Sequence, residues 1–208
     1  MRYSPFYIFL LLCSCASEPR DKVTGINKVQ HSIAILPFAG TDKKMIREIQ
    51  SRLEERLHAS VVLLGEKPLP ATAFYKPRQR YVADSLLVFL KQFNEGRTGK
   101  IIGITHKDIS TTKKPHFNWG IMGLGYRPGE ACVISSFRPI KKVKNREHFI
   151  NRMVILALHE LGHTYSLPHC PTDPCIMKDA EGKMNLDNGE TYCSNCSTFL
   201  KQAGILRG

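Results

Sequence analysis

Apolar residues recur along this chain with two alternating periods, and the alternation predicts its elements. Ser32 to Phe38 (SIAILPF) is apolar and β-branched, a buried first strand. From Met45 to His58 the apolar side chains fall at Ile46, Ile49, Leu53 and Leu57, one face of a helix that Thr41 or Asp42 can cap. Val61 to Leu64 reads as a second strand. Pro68, Pro70 and Pro77 mark a loop, after which Leu86, Leu87, Leu90 and Phe93 form the stripe of a helix from about Val82 to Phe93. Lys100 to Thr105 (KIIGIT) is a third strand. Trp119 to Tyr126 (WGIMGLGY) and Ala131 to Phe137 (ACVISSF) read as two more, with Pro128-Gly129 as the turn between them. Asn145 caps a long helix from Arg146 through Tyr165, whose middle, MVILAL, is apolar nearly all round and belongs at the centre of the fold. Strands alternating with helices predict an α/β domain, a mixed twisted sheet with one long central helix. The chain has no internal repeat and no low-complexity segment.

The first residues follow a different pattern. MRYSPFYIFLLLCSCASEPRDK sets one positive residue, Arg2, before an apolar run from Phe6 to Leu12, then small residues and a polar stretch. The run is shorter than the roughly 20 residues that span a bilayer, but it has signal-peptide length. Leu12-Cys13-Ser14-Cys15 resembles a bacterial lipobox. That resemblance implies cleavage before Cys15 and diacylation of its thiol, with residues 1–14 as signal peptide and 15–30 as a polar tether. It also implies an exported lipoprotein anchored to a membrane of the bacterial cell envelope. An ordinary cleaved signal or an N-terminal core strand is the alternative. Residues 31–208 then form a single domain, long enough to bury a sizeable core.

Charge changes the picture less than its size suggests. The formal net charge is +12, from 30 Lys and Arg against 18 Asp and Glu. The cations are spread as pairs (Lys43-Lys44, Lys113-Lys114, Lys141-Lys142) instead of one basic arm interleaved with aromatics, so no nucleic-acid partner is expected. The pairs read as solvated surface, and attraction to acidic substrates or anionic surfaces is the other reading.

Candidate chemistry lies between His159 and Cys196. His159 and His163 stand four residues apart at the end of the long helix, on one face and about 6 Å from each other, so both imidazoles reach one metal ion. Glu160 projects beside that ion and can take a proton from its bound water. His169 follows six residues after His163, beyond a helix end set by Leu167-Pro168, and offers a third imidazole. Three neutral nitrogens and a water make an open tetrahedral zinc site. Cys170, Cys175, Cys193 and Cys196 are spaced C-x4-C and C-x2-C. The spacing alone suits either a closed structural zinc site or two disulfides, the usual use of paired cysteines in an exported protein. Cys132, in ACVISS, reads as a buried thiol.

His159 through Met177 resembles the metzincin clan, whose pattern is H-E-x-x-H-x-x-G-x-x-H followed by a methionine turn. Cys170 directly after the third histidine, then Cys175-Ile176-Met177 and Cys193-x-x-Cys196, is similar to the archaemetzincins in particular. RQRYVADSLL, KIIGITHKD, WGIMGLGY and VISSFR also resemble that family, so the likeness runs from Ile33 to the end. The resemblance implies a metzincin-like α+β fold and a zinc-dependent peptidase. Its catalytic zinc would be held by His159, His163 and His169, its general base would be Glu160, and Met177 would lie in the turn beneath the metal. It also implies a second, structural zinc on the four cysteines, which would staple the C-terminal segment to that turn. Zinc-bound water would attack a peptide carbonyl of a peptide or protein substrate. The rival reading is a non-catalytic zinc-binding lipoprotein that uses the same ligands.

Three positions depart from the family's pattern. Ser166 stands where the family has glycine, at a turn whose left-handed conformation costs a serine roughly 1 kcal/mol or more. The spacer between Met177 and Cys193 is shorter. Asp179 occupies the position where many metzincins carry a tyrosine. The WGIMGLGY strand is expected along the upper edge of the cleft, where Gly120, Gly123 and Gly125 would let an extended peptide come close. A plain edge strand is the alternative. Nothing in the sequence places Tyr165 or His116 as an oxyanion donor.

Overall fold

The computed structural model describes residues 31–95, 99–180, 184 and 186–207. The signal and tether expected over residues 1–30, with Cys15, lie outside the described residues. In chain order the elements are β1 (His31–Pro37), α1 (Lys43–Arg56), β2 (Ala59–Leu63), β3 (Phe74–Tyr75), β4 (Arg80–Val82), α2 (Ala83–Asn94) and β5 (Lys100–Thr105). There follow β6 (Ile109–Lys113), β7 (His116–Ile121), β8 (Gly123–Gly125), β9 (Ala131–Ser135), α3 (Arg146–Thr164) and α4 (Ser194–Gln202).

Five strands form the main sheet in the order β2-β1-β5-β9-β8, the first four parallel and β8 antiparallel at one edge. Side chains alternate across it. Ile33, Ile35, Ile102, Ile104, Cys132 and Ile134 pack on one face with α1 and α3. Ala34, Leu36, Ile101, Ala131 and Val133 pack on the other with Leu86, Leu87 and Leu90 of α2. A parallel sheet buried on both faces has no polar alternation, which is why these strands read as continuous apolar runs. A smaller sheet, β3-β4-β6-β7, stands beside it. Asp108 joins the small sheet to the loop after β9: Arg80 Nε donates to Oδ2 at 2.7 Å and Arg138 Nε to Oδ1 at 3.0 Å.

Caps settle the helix starts. Asp42 is the cap of α1, accepting from the backbone N–H groups of Lys44 (2.8 Å) and Met45 (3.2 Å). Thr41 instead turns its hydroxyl back to the carbonyl of Phe38. Asn145 Oδ1 accepts from the His148 N–H at 2.8 Å and starts α3. Among the described residues no helix is long and apolar enough to cross a membrane.

Besides adding β3, β4 and β6, the structure departs from the sequence reading in two places. WGIMGLGY is two strands belonging to different sheets: β7 pairs with β6 in the small sheet, and after Met122 β8 pairs with β9 in the large one. The C-terminal segment also holds a helix, α4, whose Cys196 and Leu200 are buried in the core around α3 together with the following Ile205.

One charge lies within the apolar middle of α3. Arg152 is 4% exposed, and Nε and Nη2 donate to Asp187 Oδ1 (2.7 Å) and Oδ2 (2.6 Å). Nη1 donates to the carbonyls of Pro139 and Lys141. The guanidinium thus ties two loops to the helix. Its hydrogen bond, helped by His148, holds the Asp187 carboxyl at about 2, below its ordinary 3.8. A folded-state value below the unfolded one means stability present at pH above 4 and lost as pH falls toward 2. The melting-temperature gap between wild type and Asp187→Asn should therefore be constant above about pH 5 and close toward pH 2. A gap independent of pH would show that the ion pair contributes nothing through its charge.

Candidate active site

The site begins with how α3 ends. Ser166 takes φ +78°, the left-handed conformation expected where the family has glycine. Around it the N–H of Ser166 donates to the His163 carbonyl (2.9 Å), and that of Leu167 to the Gly162 carbonyl (3.0 Å). This reciprocal pair is the Schellman arrangement, which satisfies carbonyls a helix end leaves open. Leu167 is carried inward, and its own carbonyl accepts from His163 Nδ1 at 2.8 Å. After Pro168 the chain turns back, and the Cys170 N–H meets the Met177 carbonyl at 2.8 Å.

This path brings His159, His163 and His169 together, with one ring nitrogen of each within 4.8 Å of the others. Each ring is oriented through Nδ1. His159 Nδ1 donates to the Ile176 carbonyl (2.7 Å), His163 Nδ1 to Leu167, and His169 Nδ1 lies 3.3 Å from Asp179 Oδ2. A backbone carbonyl only accepts, so the proton of His159 and of His163 sits on Nδ1 and the Nε2 lone pair points inward. Those two Nε2 atoms are 3.2 Å apart. Two lone pairs at that distance repel unless a cation lies between them. Zn–N bonds of about 2.05 Å in a tetrahedron give an edge of about 3.3 Å, so the donor set fits zinc. Burial holds His159 at about 4 and also lowers His163, which keeps both neutral at pH 7.

Glu160 lies on the same turn of α3, 5% exposed, and makes no ion pair among the described residues. Burial alone pushes its carboxyl up to about 8. An unpaired carboxylate is costly to bury, so this one is placed for something other than stability. Glycines hold it there. A Cβ on Gly123 would stand 2.5 Å from Glu160 Oε1, and one on Gly125 would stand 2.6 Å from the Glu160 backbone oxygen. Two of the glycines expected to let a substrate come close thus also admit the helix, and at Gly120 a Cβ would overlap the Arg138 guanidinium. Gly162, which sequence reasoning passed over, is small for the same kind of reason: a Cβ there would meet Met177 Sδ at 2.5 Å. Met177, fully buried, thus lies directly against the turn of α3 that carries the histidines.

Cys170 and Cys175 on that returning loop meet Cys193 and Cys196 at the start of α4, with all four sulfurs within 4.8 Å of one another and none in a disulfide. Cys170 Sγ and Cys193 Sγ are 3.7 Å apart. A tetrahedron with Zn–S bonds of about 2.3 Å has an edge of about 3.8 Å, so this donor set also fits zinc. The Cys196 N–H holds the Cys193 thiol at about 7, below its ordinary 9.0, while burial raises Cys175 and Cys196. Cys132 is the buried core thiol its sequence suggested.

The histidines and Glu160 open into a cleft of about 790 Å³. Its wall combines β7 of the small sheet, β8 of the large one and the loops after β9 and α3. Neither Tyr165 nor His116 lines it. Tyr165 stacks edge-on against His31, and His116 packs on Trp119.

The family model of peptidase family M54 matches residues 31–202. The archaemetzincin of Methanopyrus kandleri is 30% identical over 169 residues, 79% of this chain and 92% of that protein. The archaemetzincin of Haloquadratum walsbyi is 26% identical over 176 residues, 81% of this chain and 98% of its own. Among solved structures, the Methanopyrus kandleri archaemetzincin matches with a TM-score of 0.72 at 25% identity, covering 85% of this chain and 96% of that one. The archaemetzincin of Archaeoglobus fulgidus matches in fold, with a TM-score of 0.70 at 23% identity, covering 81% and 99%.

The strained turn gives a direct prediction. Ser166→Gly removes the left-handed penalty and should raise the unfolding free energy by up to about 1 kcal/mol in urea titration. A loss of stability would mean that the serine side chain compensates its own backbone.

Proposed function

We propose that this chain, which belongs to peptidase family M54, cuts peptide bonds with Glu160 as general base beside a zinc held by His159, His163 and His169. That it is a zinc metallopeptidase acting on peptides or proteins follows from the family and its archaemetzincin relatives. The observation that carries the finer reading is the unpaired, buried Glu160 one residue from a histidine whose lone pair converges with its neighbour's. When bound, zinc supplies Lewis acidity, polarising the substrate carbonyl and lowering the pKa of a water to near neutrality. The Glu160 carboxylate accepts the proton released as water attacks, and returns it to the leaving amine nitrogen. Desolvation raises its proton affinity, and the positive charge of a zinc bound beside it would keep it the carboxylate that a base must be. The Leu167 and Ile176 carbonyls keep both helical imidazoles in one tautomer throughout. A non-catalytic zinc-binding role leaves the unpaired carboxylate without a purpose.

On this reading the four cysteines hold a second zinc, which braces the loop carrying Met177 against α4. We also propose that the domain over 31–208 is tethered by a lipid on Cys15, as an exported, membrane-anchored lipoprotein. The apolar run and the Leu12-Cys13-Ser14-Cys15 tetrapeptide support that reading.

Wild type should cleave members of a peptide library, and Glu160→Ala should lower kcat by about 10²- to 10⁴-fold. Elemental analysis should find two zinc ions per chain in both proteins. Wild-type turnover by the variant, or zinc lost in step with activity, would remove Glu160 from this role. Mass spectrometry of the mature N-terminus should find a diacylated Cys15, and an unmodified chain starting at Met1 would remove the anchor.

A further inference from the structure

The charge of the cleft is one-sided. Among the described residues that line it, Lys113, Arg127, Arg138, Lys141 and Lys178 face only Glu160 and Asp179. Asp179 lies against His169. Lys178 has Asp173 at 3.9 Å, and its ammonium donates to the Pro171 carbonyl. Arg138 shares Asp108 with Arg80, two guanidiniums on one carboxylate, which leaves one positive charge over. Lys113, Arg127 and Lys141 make no ion pair among the described residues. Lys141 Nζ lies 5.2 Å from the centroid of the Phe137 ring, a contact that leaves its charge in place.

Placement matters more than number. Along the wall, Gly120 packs on Arg138, Gly123 on the Glu160 carboxyl and Gly125 on the backbone of Glu160 and the side chain of His163. Arg127 follows two residues after Gly125. Cations therefore flank Glu160 in both directions along the chain from β7 through β8. At about 3.3 Å per residue, the seven steps from Gly120 to Arg127 span at most roughly 23 Å, room for about seven residues of extended peptide. Charges on an open surface are screened within about 8 Å at physiological salt. The same charges lining a cleft with low-dielectric walls focus their field into it.

We propose that this cleft selects peptides carrying acidic side chains on both sides of the bond that is cut, with Arg127 pairing one carboxylate and Arg138 attracting the other. The proposal rests on the peptidase reading and adds the substrate class. An Arg–carboxylate pair is the strongest of the charge-assisted hydrogen bonds such a wall can offer. Arg127 is exposed and, among the described residues, has no ion pair to lose when a substrate claims it.

The test uses the full chain and two fluorogenic peptides that differ only in Glu or Gln at two positions flanking the scissile bond. Wild type should show a kcat/KM ratio for Glu over Gln of about tenfold at low ionic strength, falling in 0.5 M salt. Arg127→Gln should cut the ratio to about a third or less, and Arg127→Lys, which keeps the charge but loses the bidentate fork, should fall between that and wild type. Lys43→Gln on α1, outside the cleft, should leave the ratio where it was. The same peptides, labelled and titrated by fluorescence anisotropy into zinc-loaded Glu160→Ala, separate this proposal from the reading beneath it. Tighter binding of the Glu peptide without turnover in wild type would uphold the acidic preference and sink the peptidase assignment. A ratio near one in both assays would overturn the proposal. So would an equal loss from Arg127→Gln and Lys43→Gln, which would reduce the effect to the overall basic charge.

Discussion

The hydrogen bond from His163 Nδ1 to the Leu167 carbonyl closes the end of α3 on itself, and the site is built outward from that closure. It requires the chain to reverse within two residues, which puts Ser166 in a conformation that L-residues resist by about 1–2 kcal/mol. Two reciprocal backbone hydrogen bonds and the burial of Leu167 offset that strain. The reversal fixes the His163 tautomer, aims the following segment at the third imidazole position, and delivers Cys170 to the Met177 carbonyl. One local turn thereby orients a ligand on the helix and begins the loop that carries the next.

Around this turn the fold works as a press. The main sheet buries α1 and α3 on one side and α2 on the other, and Arg152 anchors α3 to the flanking loops. Gly123 and Gly125 remove the side chains that would hold β8 away from α3, and Gly162 does the same between α3 and Met177. Glu160 is squeezed between strand and helix, which is the cause of its desolvation and so of its raised proton affinity. Chemistry and packing share the same few ångströms.

Much of this could be read from the sequence because the relevant spacings are short. His159 and His163 needed only helical periodicity, the left-handed turn at Ser166 followed from the family's glycine, and the apolar strands showed themselves through continuous hydrophobicity. What stayed hidden depends on contacts between distant segments. Nothing local to WGIMGLGY says that Met122 separates two sheets, because each half has acceptable strand composition. β6 is half polar, and α4 shows only one turn of apolar spacing, Cys196, Phe199 and Leu200, too short to mark a helix within a polar segment. The glycines were visible in the sequence, but not that Arg138 and α3 crowd the face on which their side chains would stand. The His169–Asp179 contact was equally invisible, because the residue noted for lacking a tyrosine carries a carboxylate that reaches the third imidazole.

β8 is the edge of the large sheet, and an unpaired edge invites sister chains to add strands until the protein aggregates. Here the edge is three residues long, two of them glycine, and the ladder to β9 continues past it by one backbone hydrogen bond at each end, from Ser135 to Met122 and from Tyr126 to Ala131. Such a strand is a poor template for a long intermolecular sheet, and among the described residues its outer side pairs with no other strand. The brevity that protects the molecule from its own copies is the same brevity that limits how much of another chain it can hold.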